Sequence, residues 1–115
     1  MHELGVVFYA IDAVEEAISE RDDVSHVEKV TIKLGEVSGV VPHLLQDCWK
    51  WAVSKRDIMQ DCVLEIEQVY AMTHCESCGQ DYQTVPNGRV CPFCGSDETL
   101  LVCGNEFIVE SVEGS

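Results

Sequence analysis

Apolar residues recur near the start of the chain at Leu4, Val7, Ile11, Val14 and Ile18. That three-and-four spacing draws one stripe along a helix from Glu3 to Arg21. Phe8, Ala13 and Ala17 widen the stripe, Asp12, Glu15, Glu16, Ser19 and Glu20 take the opposite face, and the polar run RDDVSH closes the helix. The period then falls to two. Val30, Ile32 and Leu34 alternate with Thr31 and Lys33, which predicts a half-buried strand, and Gly35 and Gly39 mark turns after it. Pro42 suits the first turn of a second helix, whose apolar side is read as Val41, Leu44, Leu45, Cys48, Trp49 and Ala52. Trp51 is a candidate exposed neighbour of a core Trp49, and SKRDIMQD ends the helix. CVLEIEQVY predicts a second strand, with Leu64 and Ile66 facing away from Glu65 and Glu67.

The pattern breaks at residue 71. Residues 74–94 hold four cysteines, several turn formers and little core material, and EFIVESVE after Gly104 reads as a third strand. The expected fold class is therefore α/β, in the α+β sense: a small three-stranded sheet with two helices on one face, plus an inserted zinc-ribbon-like subdomain. Residues 1–70 and 104–115 are expected to form the first domain and residues 71–103 the second. The strands either side of the insertion are placed to pair with each other once it is skipped.

The inserted segment reads C-x2-C-x12-C-x2-C through Cys75, Cys78, Cys91 and Cys94. Each CxxC turn aims two thiolates at one ion, and Gly79 and Gly95 supply a permissive backbone after each pair. Four soft thiolates in a tetrahedron match Zn²⁺. Such a shell leaves no open position, so the ion is structural, and it supplies most of the folding energy of so short a segment. Two local disulfides and a rubredoxin-type iron centre are the alternatives. Cys48 and Cys62 read as small buried hydrophobes. Cys103 flanks the module, and His74 reads as a solvent-facing loop residue beside Cys75.

Composition narrows the chemistry. The 115 residues carry 7 Lys+Arg against 21 Asp+Glu, a formal charge of −14, which repels phosphate backbones and argues against nucleic acid. No apolar run is long enough for a membrane span or a signal peptide, so the chain is expected to be cytoplasmic, where its seven cysteines stay reduced. There is no GxxxxGK[ST] loop and no supported Ser/His/Asp set, so no enzyme constellation is present.

The chain opens MHE. Histidine is too large for Met1 to be trimmed. The Met1 amine, the His2 amide nitrogen and the His2 imidazole Nδ1 can then close fused chelate rings that favour Ni²⁺ or Cu²⁺. Glu3 offers either its amide or its carboxylate. The plain alternative is an ordinary polar residue ahead of a helix, with Glu3 complementing the helix dipole.

MHE before an amphipathic helix, VTIKLGEVSGV, LEIEQV, the two CxxC pairs and GNEFIVESVE together resemble the HypA/HybF family of nickel metallochaperones, from Met1 to about Glu113. The resemblance implies a nickel-binding α/β domain with an inserted zinc domain. It implies delivery of Ni²⁺ during [NiFe]-hydrogenase maturation, with a GTPase partner of the HypB type and the hydrogenase large-subunit precursor as client, and in some organisms supply to urease. It places nickel on Met1, His2 and Glu3 and zinc on Cys75, Cys78, Cys91 and Cys94. Gly5 stands where the family commonly has serine, and VVPHLLQDCWKWAVSKRDIMQD diverges in detail. The rival readings are a nucleic-acid-binding zinc ribbon, disfavoured because its segment offers only Arg89 as a cation, and an iron-binding electron carrier.

Overall fold

The computed structural model describes residues 3–115. Helix α1 spans Glu3–Ile18, strand β1 Val27–Gly35 and helix α2 Pro42–Val53. A single 3₁₀ turn, Asp57–Met59, leads into strand β2, Val63–Val69. Strands β3 (Met72–Cys75) and β4 (Asp81–Gln83), the one-turn helix α3 (Thr84–Asn87) and strand β5 (Thr99–Cys103) follow, and strand β6, Phe107–Gly114, closes the chain. The result is an α+β fold with two separate three-stranded sheets, ordered β2-β1-β6 and β4-β3-β5.

The first sheet is mixed, and its order departs from the expectation. β2 and β6 do not pair across the insertion; β1 lies between them. A central strand is buried more continuously than an edge strand, and β1 is: Val30, Ile32 and Leu34 are buried on one face, Thr31 on the opposite face, and Val27 at the strand's start. That opposite face carries charge. Lys29 Nζ lies 2.7 Å from Glu65 and 3.6 Å from Glu113, and Lys33 Nζ lies 3.3 Å from Glu110. Glu67 hydrogen-bonds Glu110, which holds its carboxyl above the usual range. A face of half-exposed ion pairs is a solvated face.

The core of this sheet's unit comes from Val6, Val7, Ala10, Ile11 and Val14 of α1, Leu45, Trp49, Ala52 and Val53 of α2, the inward residues of β1, and Met59 and Leu64. Trp49 fills its centre and donates its indole N–H to the carbonyl of Cys62 at 2.9 Å. The centres of both helical stripes are buried as read, Val7, Ile11 and Val14 on α1 and Leu45, Trp49 and Ala52 on α2, but their edges differ. Leu4, Val41 and Leu44 are exposed, Cys48 is half-buried, and Val6 and Val53 take core places instead. An apolar arc wider than the buried one leaves its excess at the rim. Here the excess includes Trp51, which is exposed, meets Phe8 edge-on at 6.3 Å and carries Lys55 Nζ 5.3 Å above its ring.

The chain divides into two compact units. One comprises the segment ending at Lys33, Val40–Glu67 and Ile108–Ser115; the other comprises Leu34–Gly39 and Gln68–Phe107. Within the second unit three backbones meet without room for side chains. A Cβ on Gly35 would lie 2.1 Å from the carbonyl oxygen of Gly104, and one on Gly104, at φ +113, would lie 2.3 Å from the Cα of Ala71. Backbone cannot rotate out of the way as a side chain can. Gly35→Ala is therefore expected to cost roughly 3 kcal/mol, at the upper end of overpacking penalties, with a matching fall in the urea midpoint. An unchanged midpoint would show that this close approach is not enforced.

Candidate metal centre

The four cysteines of the repeated turn converge. Their sulfur atoms all lie within 4.8 Å of one another, with Cys75 Sγ 3.6 Å from Cys94 and Cys78 Sγ 3.7 Å from Cys91. Sulfurs about 2.3 Å from a central ion stand about 3.8 Å apart along a tetrahedron's edge, close to the Cys75–Cys94 and Cys78–Cys91 separations.

Two turns of the same design build this cage. The amide of Gly79 bonds the carbonyl of Cys75 at 2.9 Å, and the amide of Gly95 bonds that of Cys91 at 2.9 Å. The glycines sit at φ +78 and +77, a conformation that disfavours any residue with a Cβ. The amide of Cys75 bonds Gln80 and that of Cys91 bonds Ser96, each at 2.9 Å, and the hydroxyls of Ser77 and Ser96 meet at 2.8 Å. The amide of Phe93 points at Cys91 Sγ at 3.4 Å. Strand β3 delivers Cys75 at its end. It pairs antiparallel with β4 and β5, the second pairing with an irregularity at Met72/Thr73. The sequence reading did not place these strands: TLLVC shows no alternation, and its Leu100, Leu101 and Val102 are exposed.

Apolar burial contributes little here. The buried cluster at the cage consists of Cys75, Tyr82 and Cys91, two of them ligands. Tyr82 donates its hydroxyl proton to the carbonyl of Gly88 at 2.9 Å. The thiols also differ in acidity. The Cys78 amide, opposed by burial and helped by the Ser77 amide, lowers Cys75 to about 7. At Cys94 the Ser96 amide pulls down, but sharing a hydrogen bond with Cys75, burial and the bonds to Cys78 and Cys91 outweigh it and push the thiol up to about 12. Cys78 is also raised: against the pull of the Gln80 amide, burial and its bonds to Cys91 and Cys75 prevail. One thiolate forms readily while neighbours keep their protons until a cation replaces them.

The remaining cysteines stay outside the cage. Cys62 is buried and its thiol is pushed up to about 11 by that burial, as suits an inert core residue. Cys48 is only half-buried, so its reading as a core hydrophobe is corrected. Cys103 Sγ bonds the carbonyl of Tyr70 at 3.4 Å. His74 lies on β3, not in a loop, its Nδ1 meets Asp81 Oδ1 at 2.5 Å, and the converging cluster consists of the four cysteines without it.

Of the amino-terminal candidates, Met1 and His2 lie outside the described residues. Glu3 is the first residue of α1, and its Oε2 accepts a hydrogen bond from the backbone amide of Val41, the residue preceding α2, at 3.1 Å. No sequence signal pointed to that contact.

Residues 1–114 match a family described as hydrogenase/urease nickel incorporation, metallochaperone, HypA. The hydrogenase maturation factor HypA of Streptomyces avermitilis is 33% identical over 113 residues, covering 97% of this chain and 86% of that protein. The hydrogenase maturation factor HybF of Klebsiella pneumoniae is 29% identical over 115 residues, covering 99% of each. The solution structure of the Ni metallochaperone HypA from Helicobacter pylori shares the fold, with a TM-score of 0.72 at 24% identity over 99% of this chain and 97% of that one.

Two outcomes test the cage. Cys91→Ser should reduce bound zinc from one per chain to none and collapse the amide dispersion of β3, β4 and β5 while the helical signal of α1 and α2 persists; full zinc content in the variant would contradict the assignment. Zinc added to metal-free protein at pH 7 should release at least two protons per ion, from the raised Cys78 and Cys94, as read by calorimetry in buffers of different ionisation enthalpy. Release of fewer than two would contradict the acidity pattern.

Proposed function

The chain belongs to the HypA family of nickel-incorporation metallochaperones, and on that premise we propose that it binds one Ni²⁺ at Met1, His2 and Glu3 and delivers it to a [NiFe]-hydrogenase large-subunit precursor together with a GTPase partner of the HypB type. The family acts as a metallochaperone and performs no catalysis of its own, so the ion is cargo. Residues 1–70 with 104–115 handle the nickel, and residues 71–103 hold one structural Zn²⁺ on Cys75, Cys78, Cys91 and Cys94. The family description also includes urease, which remains the second client class. The proposed site of this work is the cytoplasm. Among the described residues no helix is long and apolar enough to cross a membrane.

The observation that carries the nickel reading is the position of Glu3. As the first residue of α1 it stands directly after Met1 and His2 in the chain, and its carboxylate accepts a hydrogen bond from the Val41 amide. In the proposed chelate Glu3 contributes its amide nitrogen. With the Met1 amine, the His2 amide and the His2 imidazole it completes four nitrogens from three consecutive residues. Such a set suits square-planar Ni²⁺ and discriminates against zinc, which prefers the tetrahedral sulfur cage. Proton competition at amine, amide and imidazole gives stepwise release, and the net charge of −14 favours approach of a dication.

Titration of zinc-loaded protein with Ni²⁺ tests this reading. The wild type should take up one equivalent. His2→Ala and amino-terminally acetylated protein should lose that uptake while keeping their zinc. Undiminished stoichiometric binding by both would place nickel elsewhere.

A further inference from the structure

We propose that a cavity in the cysteine-bearing unit is a docking site for the free carboxyl end of a partner polypeptide, with the apolar last side chain inside it and the terminal carboxylate on Arg89. This inference does not depend on the nickel reading. The cavity has a volume of about 420 Å³, within the range of about 300–1,000 Å³ usual for ligand pockets. All of its lining residues belong to that one unit. Val37, Leu100 and Leu101 supply aliphatic surface, and all three are exposed. Three threonines also line it, but their hydroxyls are engaged. Those of Thr73 and Thr84 lie 2.6 Å apart, and that of Thr99 donates to the carbonyl of Arg89 at 2.7 Å. What remains for a ligand to meet is mainly apolar.

Charge supplies the second observation. Leu34–Gly39 and Gln68–Phe107 hold six acids, Glu36, Glu76, Asp81, Asp97, Glu98 and Glu106, and a single Lys or Arg, which is Arg89. None of the acids lines the cavity, whereas Arg89 does. Arg89 is exposed and forms no ion pair among the described residues. A guanidinium left without a carboxylate in so acidic a unit is complementary to an anion brought from outside, and its fork fits a carboxylate through two parallel bonds. The turn that carries it is braced. Gly88, at φ +66, donates its amide to the carbonyl of Thr84 at 2.6 Å, and the hydroxyls of Tyr82 and Thr99 hold the carbonyls of Gly88 and Arg89. The last residue of a chain brings a carboxylate and an apolar side chain on one Cα, the pair that an arginine beside an aliphatic cavity recognises.

The third observation selects a polypeptide over a small acid. β5 is an edge strand of the sheet β4-β3-β5, and its TLLVC carries no charge and no proline to discourage pairing. Leu100 and Leu101 are consecutive on β5 and both line the cavity, so the cavity meets the strand's backbone as well as one of its faces. An extended chain can add along β5 through main-chain hydrogen bonds while its last side chain enters the cavity. A second copy of this chain is a poorer occupant, because two molecules of formal charge −14 repel.

The test uses the full, zinc-loaded, ¹⁵N-labelled chain with N-acetyl-leucine, the β-prone peptide acetyl-Thr-Val-Thr-Leu with a free carboxyl end, and the same peptide ending in an amide. The free-acid peptide should shift the amides of Thr73, Thr99 and Leu101 saturably and slow hydrogen exchange along β5. It should bind about tenfold more tightly than its amide and than N-acetyl-leucine. Arg89→Gln should bring acid and amide level, and Arg89→Lys should recover part of the difference. Both variants should keep their zinc and amide dispersion, because the exposed guanidinium has no ion pair to lose. No saturable shift with any probe, equal binding of acid and amide by the wild type, or undiminished preference in Arg89→Gln would overturn the carboxylate site. N-acetyl-leucine binding as tightly as the peptide would overturn the strand addition. The same shifts appearing with protein concentration alone would assign the face to a second copy and overturn the proposal.

Discussion

Four sulfur atoms within 4.8 Å of one another cannot all ionise without a cation between them. That repulsion organises the second half of the molecule. Apart from two of the ligands themselves, the cluster at the cage offers only Tyr82, and with Leu34 and Ala71 buried elsewhere in the unit the apolar surface is small for some forty residues. The strands β3, β4 and β5, the paired glycine turns and the Ser77–Ser96 contact all serve to hold four thiols at the edges of a tetrahedron. On the proposed reading, metal–sulfur bonds would supply there what burial supplies elsewhere, and a closed shell would keep that ion apart from nickel bound at the amino terminus.

The other unit is stabilised by a different means. Trp49, Leu45, Ile11 and Ile32, from α2, α1 and β1, are buried in a conventional apolar core. The reverse face of its sheet is a lattice of Lys29, Lys33 and four glutamates. The separation of the two stabilising principles has a functional consequence. Hard, nitrogen-rich chelation at a chain end and soft, sulfur-rich chelation in a turn-built cage select different ions by geometry and softness rather than by raw affinity. The proposed donor sets would let one protein carry a permanent ion and a transient one without exchanging them.

Much of this was legible in the residues. The CxxC spacing and its glycines specify the cage because the chemistry is local: each turn is completed within six residues. The helices and three of the strands follow from periodicity for the same reason. What was not legible depended on distant neighbours. Periodicity does not say which edge of a wide apolar arc meets the sheet, so Leu44 and Cys48 were assigned to a core that Val53 occupies. Strand order is not written in alternation, although the unbroken burial of Val30, Thr31 and Ile32 marks β1 as central once it is noticed. The exposed TLLVC strand exists because β3 pairs with it. The contact between Glu3 and Val41 joins residues 38 apart and left no mark in the sequence.

The account stands on the segregation of two metals into two donor sets. X-ray absorption at the nickel and zinc edges, on protein holding one equivalent of each, measures it directly. The account predicts a nickel shell of nitrogen and oxygen without sulfur and a zinc shell of four sulfurs near 2.3 Å, within about 0.2 Å of the usual Zn–S distance. Sulfur in the nickel shell, or nitrogen replacing sulfur at zinc, would contradict it.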